Sequence, residues 1–332
     1  MKKSIIGAVF ALTIALTGCA AGGNQETGTS EAPASSQAEE TSKPITIQHS
    51  RGELTLQSPA KRVVVLEWSL TEDLVALGVQ PVGSADNKGY ATYITSEAAL
   101  DDSVTDVGQR DEPNLETIMS LKPDLIISNA GSNRAIYEQL NGIAPTIEFD
   151  TSTGEGYSYD RMVEIFKTIG TAVGKEDKAE EVLADLDKHY AEAKETLAAA
   201  GKSDFHYVLT QAFTWQNAVN LRMFKDNSLV VGTLDNIGLV NDWKPANDTV
   251  DSSGITTIGI EGLSDVQDSN FIYIVQPDDD VFGEPMKDNT VWNGLNFVKE
   301  KRTYALDSKT WTFGGPISSK ILVDGVVEVI TK

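Results

Sequence analysis

Three arginines fall in loops next to predicted strands, and this placement indicates a binding site for an anionic or oxygen-rich ligand. The chain has seven arginines, and the three are Arg110, Arg134 and Arg222. In open α/β sheets, ligands bind just beyond the carboxyl ends of the strands. The planar guanidinium group makes paired hydrogen bonds to ligand oxygens. The competing explanation is that each arginine pairs with a neighbouring carboxylate on the surface.

Aromatic side chains are concentrated in the same loops. The candidates for ligand contact are Trp68, Tyr90, Tyr93, Trp215, Trp243, Trp292, Trp311 and Phe313. Trp243 and Trp311 stand among turn residues, where packing alone buries a tryptophan less easily. An apolar wall with a few arginines is typical of a small-molecule cleft, although core packing is the competing explanation for many of these rings.

The sequence offers little for metal or covalent chemistry. The three histidines, His49, His189 and His206, are not spaced as a metal-ligand pair, and one cysteine cannot form a Cys-rich metal site. The segment 170–176 imitates a phosphate loop, but it has three residues between its glycines and Glu176 in place of the hydroxyl residue, so it predicts the end of a helix. No Gly-x-Ser-x-Gly motif occurs. We therefore expect neither a resident metal nor an enzyme.

The elements that must position these residues alternate between strands and helices. Short apolar strands such as Val63–Leu66 lack polar alternation, so they are expected to be buried on both faces of a parallel sheet. The pattern predicts an α/β protein with an N-terminal lobe over 45–156, one linking helix within 157–174 and a C-terminal lobe over 175–332. A short acidic helix that leads into a strand occurs once in each lobe, at Glu116 and at Glu261, which indicates that the lobes are related.

The N-terminal segment predicts export and a lipid anchor. Residues 1–18 combine a positive start with an apolar run too short to span a membrane, as in a secretory signal peptide. Leu16-Thr-Gly-Cys19 resembles the bacterial lipobox, in which the cysteine becomes the lipid-modified first residue. Residues 19–44 are predicted to be a flexible tether because they hold almost nothing to bury. The chain is thus expected on the extracytoplasmic face of a cell membrane. Its formal charge of −22 argues against nucleic-acid binding.

Five segments, taken in order, resemble the siderophore-binding proteins of iron-uptake ABC transporters. They are Arg62-Val-Val-Val-Leu-Glu-Trp68, Ala76-Leu-Gly-Val-Gln-Pro-Val-Gly83, Asp106-Val-Gly-Gln-Arg-Asp-Glu-Pro-Asn-Leu-Glu116, Leu121-Lys-Pro-Asp-Leu-Ile-Ile127 and Trp311-Thr-Phe-Gly-Gly-Pro-Ile317. The resemblance implies a class III substrate-binding protein, in which two Rossmann-like α/β lobes are joined by one long rigid helix and hold the ligand in a cleft between them.

The resemblance also implies roles for particular residues. Arg110, in the Val-Gly-x-Arg motif, would contact the iron-chelating oxygens. Tyr93, Trp243 and Trp292 would line the cleft. Glu116 and Glu261 would contact arginines of the permease, one from each lobe.

The function implied by the resemblance is capture of a ferric siderophore and its delivery to an ABC permease dimer, by a protein expected to be a monomer. The siderophore would hold the iron, so no metal-binding side chain is required. The segment Thr312-Phe-Gly-Gly stands where relatives that bind polycarboxylates tend to carry extra arginines. It therefore favours a ferric hydroxamate or a citrate–hydroxamate complex over ferric dicitrate.

Two alternatives stay open from the sequence. A haem- or cobalamin-binding protein shares the fold, and Tyr90, Tyr137 or Met223 are candidates for an axial haem ligand. A secreted hydrolase with paired carboxylates is compatible with 49 acidic residues, although no motif selects a pair.

Overall fold

The computed structural model of the chain describes residues 44–151, 157–245 and 254–332. The predicted signal peptide, Cys19 and the predicted tether up to residue 43 lie outside these residues. Within the described ranges, no helix combines the length and the apolar character needed to cross a membrane.

The first lobe is built on a parallel sheet. Its strands are β1 (Ile45–His49), β2 (Gly52–Leu56), β3 (Val63–Val65), β4 (Gly83–Ser84), β5 (Thr105–Asp106), β6 (Leu125–Asn129) and β7 (Thr146–Phe149). Its helices are α1 (Trp68–Ala76), α2 (Asn87–Tyr93), α3 (Leu115–Ser120), α4 (Ala130–Asn133) and α5 (Tyr137–Ile143), with 3-10 turns at Ser96–Ala98 and Arg134–Ile136. The order β5-β4-β3-β6-β7 is parallel throughout, and β1 and β2 form a separate antiparallel hairpin. Every residue of β3, β6 and β7 is buried, including the polar residues that end β6 and alternate in β7. For β3, which is entirely apolar, this confirms the expectation of burial on both faces.

Two consecutive helices connect the first sheet to the second. They are α6 (Tyr159–Ala172) and α7 (Glu176–Ala199). The buried face of α6 carries Met162, Ile165, Phe166 and Ile169, and it packs against α1 and β1 as well as against α7. The chain leaves α6 at Gly174, which has a positive φ of 66°, a conformation that glycine adopts without strain. The glycine-rich segment is therefore the end of a helix, as predicted.

The second lobe contains a mixed sheet. Its elements are β8 (His206–Trp215), β9 (Ala218–Phe224), α8 (Leu229–Asp235), β10 (Val240–Asn241), β11 (Ile255–Ile258), β12 (Asn270–Ile274), α9 (Thr290–Gly294), α10 (Asn296–Lys299), β13 (Thr303–Ala305) and α11 (Pro316–Thr331), with 3-10 turns at Ile260–Val266 and Glu284–Met286. The order is β11-β9-β8-β12-β13, and β10 also pairs with β8. The strands β8, β10, β12 and β13 are parallel, and β9 runs antiparallel to both of its neighbours, β8 and β11.

The parallel strands of the two lobes correspond. In the first lobe β3 lies between β4 and β6, with β7 beyond β6. In the second lobe β8 pairs with β10 and β12, with β13 beyond β12. A short helical turn precedes both β6 and β12, and these turns carry Glu116 and Glu261. The two lobes thus share the order of four parallel strands and the turn that precedes the third of them.

The hairpin of β8 and β9 was not predicted. Arg222 was predicted to lie in a loop, but β8 continues to Trp215 and Arg222 lies within β9. Gln216 and Asn217 close the hairpin with φ values of 50° and 60°, as a tight two-residue turn requires. Leu221 and Met223 alternate with Arg222, so the apolar side chains face the core and Arg222 faces the other side.

A carboxylate from the first lobe caps a helix of the second. Glu72 of α1 accepts hydrogen bonds from the backbone N–H groups of Gly315 (2.9 Å) and Ser318 (2.8 Å) and from the Ser318 hydroxyl (2.5 Å) at the start of α11. Glu72 is fully buried, and burial raises its pKa although these hydrogen bonds oppose that rise. The bonds tie the two lobes together at the start of α11.

The neighbouring carboxylate, Asp73, is also fully buried, and neither of its oxygens has a hydrogen-bond partner in the described residues. Burial and the charge of Glu72 raise the pKa of Asp73 well above its ordinary value. A Cβ at position 315 would lie 2.1 Å from Asp73 Oδ1. Close approach to this buried pair therefore explains Gly315 in the Phe-Gly-Gly-Pro segment.

Candidate functional site

A cleft between the two lobes contains two adjoining cavities of about 480 and 320 Å³. Both are lined by Arg110 from the first lobe and by Arg222 and Trp311 from the second, so we treat them as one site and call it the cleft. The residues of the first lobe that line the cleft lie at or after the carboxyl ends of strands, where ligands bind in open α/β sheets. Glu67 and Trp68 follow β3, and Arg110 follows β5.

Arg110 is held at the cleft by three contacts. Its guanidinium Nη1 donates to Glu67 Oε1 at 2.9 Å, and its Cζ lies 3.9 Å from the centroid of the Trp68 ring. Its backbone carbonyl accepts a hydrogen bond from Asn133 Nδ2 at 2.8 Å. Glu67 also accepts from the backbone N–H of Trp68 and so caps α1. Arg110 is therefore oriented in advance by a carboxylate and by an aromatic face.

Arg222 faces the cleft from the second lobe. Its Nη1 donates to Gln211 Oε1 at 2.6 Å, and its Cζ lies 5.3 Å from the Phe213 ring centroid and 5.4 Å from that of Phe313. Burial lowers the pKa of Arg222. No carboxylate of the described chain forms an ion pair with it. An oxygen-rich ligand would supply the missing acceptors, because a half-buried cation without a counter-ion is costly.

Aromatic rings form a continuous wall across the cleft. The Trp68 ring lies 5.7 Å from Tyr93 and 5.5 Å from Trp311, and Trp311 lies 5.4 Å from Phe313. Phe313 in turn lies 6.0 Å from Phe224. These spacings are typical of offset or edge-to-face pairs. The wall spans both lobes, and it sets two guanidinium groups against an apolar surface.

The structure brings six of the eleven predicted ligand residues to the cleft. They are Trp68, Tyr93, Arg110, Arg222, Trp311 and Phe313. The glutamates predicted to dock the permease, Glu116 and Glu261, are both exposed and belong to different lobes.

The other five predicted ligand residues do not line the cleft. Trp243 and Trp292 are buried in a core cluster of the second lobe, and Tyr90 is buried with its hydroxyl donating to Ala98 O. Trp215 ends β8 at the hairpin turn, where 64 % of its surface is exposed. Arg134 is exposed and lies 3.5 Å from Asp150. For the buried rings packing is the explanation, and for Arg134 it is a surface ion pair.

The three candidates for an axial haem ligand are likewise directed elsewhere. Met223 is fully buried in the second-lobe core. The Tyr137 hydroxyl donates to Thr146 O, and the Arg51 guanidinium lies 4.7 Å from its ring centroid. Tyr90 lies in the core, as described above. Each of the three side chains satisfies a packing or hydrogen-bonding need inside its own lobe.

Sequence reasoning missed Glu67, although the signal was present. Glu67 lies between the apolar strand β3 and α1. It therefore occupies a strand-to-helix loop, the kind of position at which the arginines were selected as candidates. Asn129, the last residue of β6, and Thr151, which follows β7, line the larger cavity and could have been found in the same way. The sequence-based predictions at these loops were limited to arginines and aromatic rings. In the described chain, no cluster of three or more histidine, cysteine, aspartate or glutamate side chains could hold a metal ion.

The fold and the cleft are those of a binding protein with two lobes. A model of the periplasmic binding protein family matches residues 63–310, and the chain belongs to this family. The Fe(3+)-citrate-binding protein YfmC of Bacillus subtilis (strain 168) is 32 % identical over 286 residues, covering 86 % of this chain and 85 % of that protein. YfiY of the same organism, named as a probable siderophore-binding lipoprotein, is 30 % identical over 298 residues, covering 86 % and 87 %.

Among solved structures, the siderophore-binding protein FhuD from Vibrio cholerae, bound to Fe3+–Desferal, matches with a TM-score of 0.72. The identity is 26 %, and the match covers 82 % of this chain and 98 % of that one. The expected fold, two α/β lobes of the siderophore-binding class, is therefore confirmed.

Proposed function

We propose that the chain is a lipid-anchored, extracytoplasmic binding protein that captures an Fe(III)–siderophore complex and delivers it to an ABC permease. The observation that carries the proposal is the pair of arginines, Arg110 and Arg222, which face one aromatic cleft from opposite lobes. The ligand proposed is a ferric hydroxamate or a mixed citrate–hydroxamate complex. No chemistry on the ligand is proposed.

The chemistry of the cleft suits such a complex. A ferric siderophore presents hard chelating oxygens around the metal and an organic shell outside them. Guanidinium groups donate to the oxygens, while the rings of Trp68, Tyr93 and Trp311 offer apolar area to the shell. Because the siderophore itself coordinates the iron, the protein needs no ligand side chain for the metal.

The relatives support this class of ligand. YfmC is named as a ferric citrate binder, and the Vibrio cholerae structure holds Fe3+–Desferal, an iron–hydroxamate complex. The ligands named for these two proteins therefore contain the two kinds of iron-chelating group, citrate and hydroxamate, that we propose for the ligand of this chain.

Delivery to the permease is proposed to use the exposed carboxylates Glu116 and Glu261. They lie at equivalent places in the two lobes, before β6 and before β12, so a permease dimer could contact both at once. The proposed anchor is Cys19, with the following residues as the tether. We propose that one monomer engages one permease dimer.

Titration of tryptophan fluorescence with a panel of ferric siderophores tests the ligand class. Trp68 and Trp311 line the cleft, so a bound ferric complex is expected to quench emission with a Kd below the micromolar range. Replacement of Arg110 by alanine is expected to weaken binding at least tenfold, because it removes a charge-assisted hydrogen bond worth about 1.5–3 kcal/mol.

Arg161→Ala is the matched control, since Arg161 pairs with Glu164 on α6 and does not line the cleft. Its affinity should equal that of the wild type. A panel in which no ferric complex binds more tightly than micromolar would refute the proposal. A new Soret band on titration with haemin would instead favour a haem carrier.

A further inference from the structure

We propose that Glu67 is a charge selector in the cleft, so that the protein prefers ferric complexes with a net charge near zero over multiply anionic ones. The inference rests on the proposed function and adds to it the residue that sets the charge of the accepted ligand. It follows from the position of one carboxylate among two cations.

Glu67 is part of the cleft surface and is held rigidly there. Its Oε1 accepts from Arg110 Nη1 and from the backbone N–H of Trp68, at 2.9 Å in each case. The side chain is 12 % exposed and lines the larger cavity. A carboxylate with two hydrogen bonds cannot rotate away from an incoming ligand without losing both.

The ion pair changes the charge that a ligand encounters. Among the described residues that line the two cavities, Glu67, Arg110 and Arg222 are the charged ones, and their formal charges sum to +1. Without Glu67 the sum would be +2. A ligand that carries several negative charges therefore meets one uncompensated cation and one carboxylate that repels it.

The same pair leaves Arg110 able to donate hydrogen bonds. A guanidinium has five N–H groups, and Glu67 occupies one of the terminal nitrogens while Trp68 covers one face. The remaining N–H groups can donate to neutral or weakly charged oxygens, such as those of a hydroxamate chelate. Glu67 thus reduces the net positive charge of the cleft around Arg110, and Arg110 keeps N–H groups that can donate to a ligand.

A different role for Glu67 would be to cap α1 and position Arg110, with no effect on ligand charge. The two roles predict different results. If Glu67 only positions Arg110, its replacement changes the affinity for every ferric complex in the same direction and by the same factor. If Glu67 selects by charge, the ratio of affinities between an anionic and a neutral complex changes.

The experiment compares the Kd values of ferric dicitrate and of a neutral ferric trihydroxamate for the wild type and for Glu67→Gln. Glutamine keeps an amide oxygen for Arg110 and for the Trp68 N–H. We expect the preference for the neutral complex to fall about thirtyfold in Glu67→Gln for each unit of charge by which the two ligands differ, as estimated for one charge about 8 Å from the ligand at an effective dielectric constant of about 20. If the ratio of the two Kd values is the same in Glu67→Gln as in the wild type, including the case in which both ligands bind more weakly by the same factor, the inference is overturned.

Two further variants serve as controls for this experiment. Glu97→Gln removes the same charge from an exposed position of the same lobe, and its ratio should equal that of the wild type. Glu67→Asp retains the charge and should retain the preference, which keeps the proposal testable if Glu67→Gln does not fold. If the wild type binds neither ferric complex, the proposed function itself has failed. If it binds and Glu67→Gln keeps the same ratio, only the charge selector has failed.

Discussion

Replacement of Glu72 by alanine is expected to destabilise the folded chain by about 3–5 kcal/mol, because it removes the acceptor that joins the first lobe to the start of α11. The Glu72 carboxylate accepts from two backbone N–H groups, those of Gly315 and Ser318, and from the Ser318 hydroxyl. All three donors are withdrawn from water with it, since Glu72 is fully buried and Ser318 is nearly so.

The magnitude follows from the number of donors. Each buried donor left without an acceptor costs about 1–3 kcal/mol, and the two backbone N–H groups cannot turn to find another partner. The Ser318 hydroxyl can rotate, so it adds less. Glu72→Gln keeps one amide oxygen for both N–H groups and loses only the charge near the helix start, so it should cost about 1 kcal/mol. The difference between alanine and glutamine isolates the hydrogen bonds.

Urea unfolding followed by circular dichroism gives the free energies of unfolding. Glu328→Ala, on the exposed side of α11, is the control and should lie within about 0.5 kcal/mol of the wild type. A loss below about 1 kcal/mol for Glu72→Ala would refute the assignment of Glu72 as the link between the lobes. Equal losses for alanine and glutamine would show that charge, and not hydrogen bonding, is what α11 requires.

Two further predictions concern the second buried carboxylate and the permease contacts. Burial raises the pKa of Asp73, so its contribution to stability is full below about pH 4 and is lost as the pH rises through the folded-state value. In Asp73→Asn the free energy of unfolding should therefore decrease less between acid and neutral pH, and it should exceed that of the wild type at pH 7. If urea unfolding gives the same pH dependence for the variant and the wild type, the raised pKa of the buried Asp73 carboxyl group is contradicted. Replacing both Glu116 and Glu261 by alanine should leave the Kd for the ferric complex unchanged and abolish iron uptake in cells or liposomes, and weakened binding instead would place these carboxylates in the ligand site.

Local pattern was sufficient for much of the fold. The apolar run Val63–Leu66 predicted a strand buried on both faces, and the helical spacing of apolar residues within 157–174 predicted the helix that packs on both lobes. The hairpin of β8 and β9 was missed because its turn, Gln216-Asn217, carries no glycine. Its backbone is held in the left-handed region by strand pairing across the turn, which a single sequence does not reveal.

For the site, the position of Arg110 in a loop next to predicted strands was enough to make it a candidate ligand residue. Trp243 and Trp292 show the limit of that reasoning, because a tryptophan beside turn residues can fill either a cleft or a core. The core of the second lobe surrounds both rings, and Phe271 lies 5.5 Å from Trp292. Whether such a tryptophan lies in the cleft or in the core depends on which face of its loop packs inward, and this in turn depends on contacts with residues far away in sequence.

By itself, the sequence determined the α/β class and the presence of Arg110 and several aromatic rings in loops beside strands, since these depend on local periodicity and on residue type. Only the tertiary structure decided that Arg110 is paired with Glu67, that Arg222 faces it from a strand of the other lobe and that Glu72 caps α11. Each of these contacts joins segments at least 43 residues apart in the chain, so its existence depends on the packing of whole elements and not on neighbouring residues.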